Sequence, residues 1–324
     1  MNSPSTRRIL STLLVLIVAA CVSGPSGAED PGAGKGVPAI GELAELSNTP
    51  RQNASSPFWQ HWGDGQAELT SYTGVIARYG EPREATAVLI YVTEAMDRRT
   101  WVKDEATQAP DRVSVLKLNR TTKFSTGLYP YSVMTSVFSP VDDFGHERFQ
   151  PVKVDLSVQE WCGHVFHAIW PGPARLLSRI TSYFASEGDA EDVLEVAPKA
   201  LYQDALPIQL RELDAPFAGG ANWSGTLVPT LWHHRVAHKP LQPVEATIVR
   251  DNDSLDGLAA TRFVLRYGEH TETYYIEKEA PRRLLGWEHS DGTRFRLLRT
   301  TRLPYWQLNK PGDESHLEAL GLTP

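Results

Sequence analysis

Five closely spaced β-type runs end the chain, and the gaps between them exclude most ways of pairing them. Val244 to Arg250, Thr261 to Tyr267, Thr271 to Glu277, Arg283 to Glu288 and Thr293 to Arg302 alternate apolar and polar residues or carry β-branched ones. Gly268-Glu269 and Asp291-Gly292 stand where tight hairpin turns belong. A parallel pair needs a crossover of about a dozen residues or more, so strands this close run antiparallel to their neighbours. The first half has the same texture. Ala67 to Tyr79 and Thr86 to Thr93 flank Gly80-Glu81-Pro82 as a first hairpin. Val113 to Leu118 and Ser132 to Phe138 read as further strands. Lys153 to Trp170 is long enough for one bent strand or two, and Trp170-Pro171-Gly172-Pro173 stops it. Leu176 to Phe184 reads as a strand pairing back.

The middle differs. Glu187 to Asp192 is acidic and polar. Asp204-Ala205-Leu206-Pro207 then opens a helix running to Leu213, with proline near the first turn, where a missing N–H costs little. Gly219-Gly220 ends that segment. The expected fold is therefore mainly β, of the α+β kind: a curved antiparallel sheet or half-barrel with one or two packed helices. The β-rich parts are 58–185 and 223–310, joined by a helical connector over 186–222 and followed by a tail, 311–324.

The first twenty residues have another purpose. Arg7 and Arg8 precede Ile9 to Val18, an apolar run of the length of a secretion signal and too short to span a bilayer as a helix. Val18-Ala19-Ala20-Cys21 follows and resembles the bacterial lipobox. That resemblance implies removal of residues 1–20 and acylation of Cys21, an anchor that gains roughly 0.8 kcal/mol for each buried methylene. Ordinary cleavage after Ala20 is the alternative, and either route exports the chain. Val22, where an inner-membrane retention signal has Asp, favours an outer-membrane address facing the periplasm. Residues 21–57, rich in Gly, Pro, Ser and Ala, read as a tether, with a helical turn or two over Ile40 to Leu46. No later stretch is apolar enough to cross a membrane as a helix. The formal net charge is -7; with no Lys/Arg stripe, nucleic acid is not an expected partner. Once Cys21 is acylated only Cys162 remains, so the fold must stand without an intrachain disulfide.

Two longer resemblances are visible. Tyr274-Tyr275-Ile276-Glu277-Lys278-Glu279, Arg283-Leu284-Leu285 and Asp291-Gly292-Thr293 resemble the closing part of periplasmic lipoprotein carriers of the LolA/LolB kind. In those proteins a strongly curved antiparallel sheet wraps helices and holds acyl chains. Phe58-Trp59-Gln60-His61-Trp62, Tyr129-Pro130-Tyr131-Ser132-Val133-Met134 and Glu160-Trp161-Cys162-Gly163-His164-Val165, among other stretches of the first half, are similar to an uncharacterised bacterial family often labelled "septum formation inhibitor Maf". The chain lacks the Ser-x-Ser-x-Arg-Arg motif of the Maf pyrophosphatases, so the activity in that label does not carry over.

Four constellations could carry chemistry. Glu160, Cys162 and His164 would share one face of a strand, successive members about 7 Å apart. A thiol beside an imidazole can become nucleophilic, with a carboxylate orienting the ring; the structural alternative is a polar row with a buried, inert Cys162. His233, His234 and His238 form a second cluster, and His234 and His238 share a face at zinc-binding spacing. A hydrogen-bonded histidine segment is the plainer reading. Asp251, Asp253, Asp256 and Gly257 approximate a calcium loop, but Leu255 stands where an oxygen ligand belongs and no bidentate Glu follows, which favours a polar turn. Nine tryptophans supply core or, several together, a groove for sugar rings or acyl chains. Gly-x-Ser-x-Gly and the phosphate-binding Gly-x-x-x-x-Gly-Lys motif are absent. The expectation is a membrane-anchored envelope lipoprotein that binds a hydrophobic ligand or an envelope protein, with no cofactor and no metal. The alternatives are an enzyme centred on Cys162, His164 and Glu160, or a glycan- or cell-wall-binding module.

Overall fold

The computed structural model describes residues 40, 46–105, 111–145, 148–212 and 222–323. The signal segment, Cys21 and Gly219-Gly220 lie outside them. Helix α1 (Ser56–Trp62) comes first, its start capped by the Ser55 hydroxyl, which accepts from the Phe58 amide at 3.3 Å. Strands β1 (Ala67–Arg78), β2 (Glu81–Asp97), the short β3 (Val102–Lys103), β4 (Arg112–Thr126), β5 (Tyr129–Pro140), β6 (Lys153–Glu160), β7 (Gly163–Pro171), β8 (Arg175–Ser182) and β9 (Asp189–Glu195) follow. Then come β10 (Leu201–Tyr202), α2 (Leu206–Glu212), β11 (Asn222–Val228) and α3 (Leu231–Ala237). The meander β12 (Val244–Leu255), β13 (Leu258–Tyr267), β14 (His270–Glu277), β15 (Leu284–His289) and β16 (Arg294–Leu303) ends the sheet.

All the strands belong to one sheet. Its order is β10-β11-β12-β13-β14-β15-β16-β1-β2-β4-β5-β6-β7-β8-β9, with β3 beside β2. The two β-rich parts of the sequence are thus halves of one sheet, joined where β1 pairs antiparallel with β16. The single parallel pair of the described sheet, β10 with β11, has a helix in its connection, as a parallel crossover requires. The sheet is curved and not closed. Its two ends, β9 and β10, are consecutive in the chain and separated only by residues 196–200. Five residues reach at most about 20 Å, so the sheet must roll until its ends approach.

Rolling creates an interior that has to be filled. Fifteen strands about 4.8 Å apart give a perimeter of about 70 Å and a width of about 20 Å, more than strand side chains alone can occupy. Helix α2 fills it. Leu206 to Arg211 are all buried, the mark of a helix enclosed on every side. Inward-facing residues of both halves, such as Leu89, Leu118, Leu156, Phe263 and Ile276, join α2 in one core. Gln209 and Arg211 are the polar members of that buried run, and Arg211 is the charged one. Its guanidinium forks onto Glu68 of β1 at 2.7 and 3.3 Å, donates to the Pro281 carbonyl at 3.0 Å and lies against the Tyr91 and Trp62 rings.

The outer face carries two smaller apolar clusters. One holds Met96, Val115, Trp170 and Leu177 under Trp101 and Phe144, with Ile40 and Leu46 packed against it. Backbone bonds from Ser47 to Phe144 and from Arg51 to Asp143 lay this early segment along the sheet. The other buries Ala67 and Leu69 beneath Leu320 of a C-terminal 3₁₀ helix, whose carbonyl accepts from the Ser71 hydroxyl at 2.6 Å.

Of the two readings open for Lys153 to Trp170 the structure has two strands, because Trp161-Cys162 makes a two-residue turn. Local reading and structure part in two places. The acidic run at 187–192 enters an edge strand, β9, where the exposure of Asp189, Glu191 and Asp192 suits carboxylates. The segment carrying His233 and His234 is helical, started by Thr230, whose hydroxyl accepts from the Trp232 amide. Elsewhere the turns stand as expected. Tyr79 and Gly80 have φ of 56° and 76°, the consecutive left-handed pair of a tight hairpin.

Candidate metal centre

The sequence-defined clusters come apart in three dimensions. Glu160 does not share a strand face with Cys162 and His164: it ends β6, Cys162 sits in the turn, and His164 is on β7. The Glu160 carboxylate accepts from the Cys162 amide at 3.3 Å and faces the buried guanidinium of Arg235 at 3.8 Å. Cys162 is exposed, not buried in a central strand. Its hydrogen bond to the Glu160 carboxylate raises the thiol pKa, the wrong direction for an activated nucleophile. The three histidines of the second cluster have three different neighbourhoods. His238 pairs with Glu187. His234 lies 4.9 Å, ring to ring, from His167. His233 turns to Tyr267. Asp251 and Asp253 both face Arg262, at 2.6 and 3.2 Å, which neutralises the acids of the calcium-like run. Of the tryptophans, Trp62, Trp101, Trp170 and Trp287 are buried, whereas Trp161 is 68% exposed.

A different set of histidines converges. β1, β4, β6, β8, β13 and β15 run in one direction, so their C-terminal ends lie on the same rim of the sheet. His270 opens β14 just after the β13 turn, and His289 closes β15. The two hairpins are neighbours: Glu272 pairs with His289, and the Ser290 amide donates to the Thr271 carbonyl at 2.8 Å. That brings the two imidazoles together. α3 follows β11 at the same rim and places His233 over them. One ring nitrogen from each of His233, His270 and His289 lies within 4.8 Å of the other two. Their ring centroids are 4.4 to 5.5 Å apart.

The orientation of the rings suits a cation. His233 Nδ1 is 2.8 Å from the Tyr267 hydroxyl; in the tautomer whose Nδ1–H donates to that oxygen, Nε2 carries the lone pair that a ligand atom needs. His289 Nδ1 is 3.0 Å from the Asp291 carboxylate, and its Nε2 is buried without a protein partner. The Asp291 amide approaches the same Nδ1 at 3.2 Å; the charged carboxylate is the stronger partner and takes the ring proton. An imidazole whose outer nitrogen donates to a carboxylate while its inner nitrogen keeps a lone pair is the arrangement that metal ligands use. Burial, reinforced by His289, pushes His233 down to about 3, so that ring is neutral at physiological pH. A zinc ion with bonds of about 2.0–2.1 Å draws its donors to about 3.4 Å apart, a closure of up to about 1.4 Å that side-chain rotation can supply.

On the inner side of the cluster lies a small pocket with a volume of about 50 Å³. His233 and His289 line it, with Arg120, Asp204, Glu272 and Thr230. Asp204 takes Arg120 at 3.1 Å, the Thr230 hydroxyl at 2.7 Å and the Leu231 amide at 3.0 Å. Glu272 accepts from the Tyr274 hydroxyl at 2.6 Å and from the Gln203 amide.

Part of this centre could be read from the sequence. The turns at Gly268-Glu269 and Asp291-Gly292 belong to successive hairpins, so His270 and His289 fall side by side once the meander is drawn. Nothing local brings in His233, because α3 is set by a crossover through the interior. Neither a family model, nor a curated protein, nor a solved structure matches the chain.

Proposed function

We propose that the protein binds a divalent first-row cation, zinc foremost, through His233, His270 and His289, and that it does so outside the cytoplasm, held to a membrane by acylated Cys21. The convergence of three imidazoles from three elements, one with a buried and unpartnered Nε2, carries the first part. Three nitrogen donors suit zinc, copper, nickel or cobalt rather than the oxygen-seeking calcium or magnesium. The signal segment and the Val18-Ala19-Ala20-Cys21 motif support the second part.

Chelator-stripped protein titrated with zinc and followed by native mass spectrometry is expected to take up one ion. His289→Ala should weaken uptake by about 100-fold or more, and Asp291→Asn, which removes only the outer support, by about 10–100-fold. His234→Gln should change nothing. Equal uptake by wild type and His289→Ala overturns the site. For the anchor, Cys21→Ser is expected to move the exported protein from the membrane pellet to the soluble fraction; a mutant that stays in the pellet counts against acylation.

A second reading has its own support. Four successive tips on the same rim hold large exposed apolar side chains: Tyr79 (57%), Leu128 (82%), Trp161 (68%) and Tyr183 (72%). Scattered exposed apolar residues are ordinary, but a row of them at one rim favours an apolar ligand or a protein partner there. Native mass spectrometry of protein drawn gently from its membrane separates the readings: one keeps a metal mass, the other a lipid or polypeptide.

A further inference from the structure

We infer that the three-histidine centre keeps an open coordination position toward the interior pocket and takes there a small oxyanion, or the oxyanion end of a longer molecule. This rests on the metal reading above.

Three considerations lead to it. The first is the donor count. Among the described residues only the three imidazoles converge, and the nearby carboxylates are already committed. Asp291 holds His289 and the Thr293 amide. Asp204 holds Arg120, Thr230 and Leu231. Glu272 holds Tyr274 and Gln203. A tetrahedral ion with three protein donors has its fourth place left for water or an outside ligand.

The second is direction. His270 is exposed and closes the cluster from the solvent side, whereas His233 and His289 line the pocket. An ion among the three therefore has the pocket on its inner side. The third is chemistry. Three neutral imidazoles leave the full charge on the cation. Beside it the pocket offers the Arg120 guanidinium, one arm of which is held by Asp204, and the side chains of Thr122, Thr135 and Thr293. A cation, a guanidinium and hydroxyl donors together recognise oxygen anions. A volume of about 50 Å³ limits the enclosed part to a few heavy atoms, the size of bicarbonate or of a carboxylate end.

The test uses the full mature chain loaded with cobalt(II), whose visible bands report its coordination. Titration with bicarbonate and with acetate is expected to shift those bands saturably. Arg120→Gln is expected to weaken the anion response about tenfold, the loss of one charged hydrogen bond, while cobalt affinity stays within about twofold. If Arg120→Gln does not fold, the wild-type titration still decides. Cobalt bands that ignore both anions overturn the open position while leaving the metal site standing. A response to neutral imidazole but to neither anion overturns the oxyanion assignment. No cobalt uptake at all overturns the metal reading itself.

Discussion

Replacing Arg211 with methionine is expected to cost about 3–5 kcal/mol of folding stability. The guanidinium and the Glu68 carboxylate each expose 1% of their side chain, and they are joined by two hydrogen bonds. Removing the arginine leaves a carboxylate enclosed beneath a rolled sheet. Burial alone would raise the Glu68 pKa; Arg211 and then His61 outweigh it and hold the carboxyl at about 2. His61, 3.3 Å from Glu68, and Arg302 at 4.0 Å offer partial replacement, which places the loss toward the lower end. The control is Glu68→Leu combined with Arg211→Met. Two apolar residues of suitable volume recover most of the stability if the cost comes from an orphaned charge. Urea unfolding measures both. A loss below about 1 kcal/mol in the single variant would mean that water reaches Glu68 and that the interior is less closed than its packing implies.

Acidification below neutrality should weaken the metal-free protein through its buried histidines. His167 is 1% exposed on the inner face of β7; its Nε2 is 2.8 Å from the Ser178 hydroxyl and its Nδ1 has no partner. Burial, with the neighbouring His234 adding to it, pushes its pKa down to about 3 from an ordinary value of 6.5. Below pH 6.5 the unfolded chain therefore binds a proton that the folded one refuses. The stability is complete above pH 6.5 and drains away as pH falls toward 3, by up to about 1.4 kcal/mol per pH unit. Glu68 acts in a lower window, from its ordinary 4.5 down to about 2. Urea midpoints at pH 7.5, 6 and 5 span the histidine window; Glu212, Glu272 and Asp155, whose carboxyls burial raises, oppose the trend there, so the comparison with a His167 variant isolates the histidine. His167→Gln should remove one proton from the slope. His233 titrates in the same range and remains in both proteins, so the difference belongs to His167. An unchanged slope in His167→Gln refutes the assignment.

The sequence states the strands more clearly than the roll. Alternation and turn residues mark β1, β2 and β12 to β16 because each has one face on the core and one toward solvent, which writes period two directly into the chain. The same rule leaves Lys153 to Trp170 open between one strand and two, and it misleads over Glu160, Cys162 and His164. There Trp161-Cys162 turns without glycine, asparagine or proline, so nothing signals the break, and a row that looked like one face of a strand became a strand end, a turn and a new strand. β9, at the sheet's end, and β11, flanked on one side by only the two-residue β10, escape the pattern because strands with an open edge tolerate polar residues, and α3 because seven residues show too little periodicity. α2 was legible from its proline and its apolar run. Its use as the filling of the roll was not, since that depends on how many strands surround it. The metal centre divides likewise: two histidines follow from hairpin register, and the third from a crossover whose path no local pattern records.

The seam between β1 and β16 dictates the order in which the molecule can assemble. Thr70 and Thr300, 230 positions apart, touch across it at 3.2 Å. During synthesis β1 emerges early and its twelve residues then wait for a partner that is almost the last strand made. Until then its outer edge is an open template for any passing strand, in this chain or another. Each half of the sheet can form locally by hairpins, but the pairing that unites them closes the longest loop between paired strands of the described sheet and should come late and slowly. The three-histidine cluster, by contrast, draws only on residues 233 to 289, all within the second half. Its ligands can meet before the seam closes, so an ion bound there could hold that half together while the first half folds around α2.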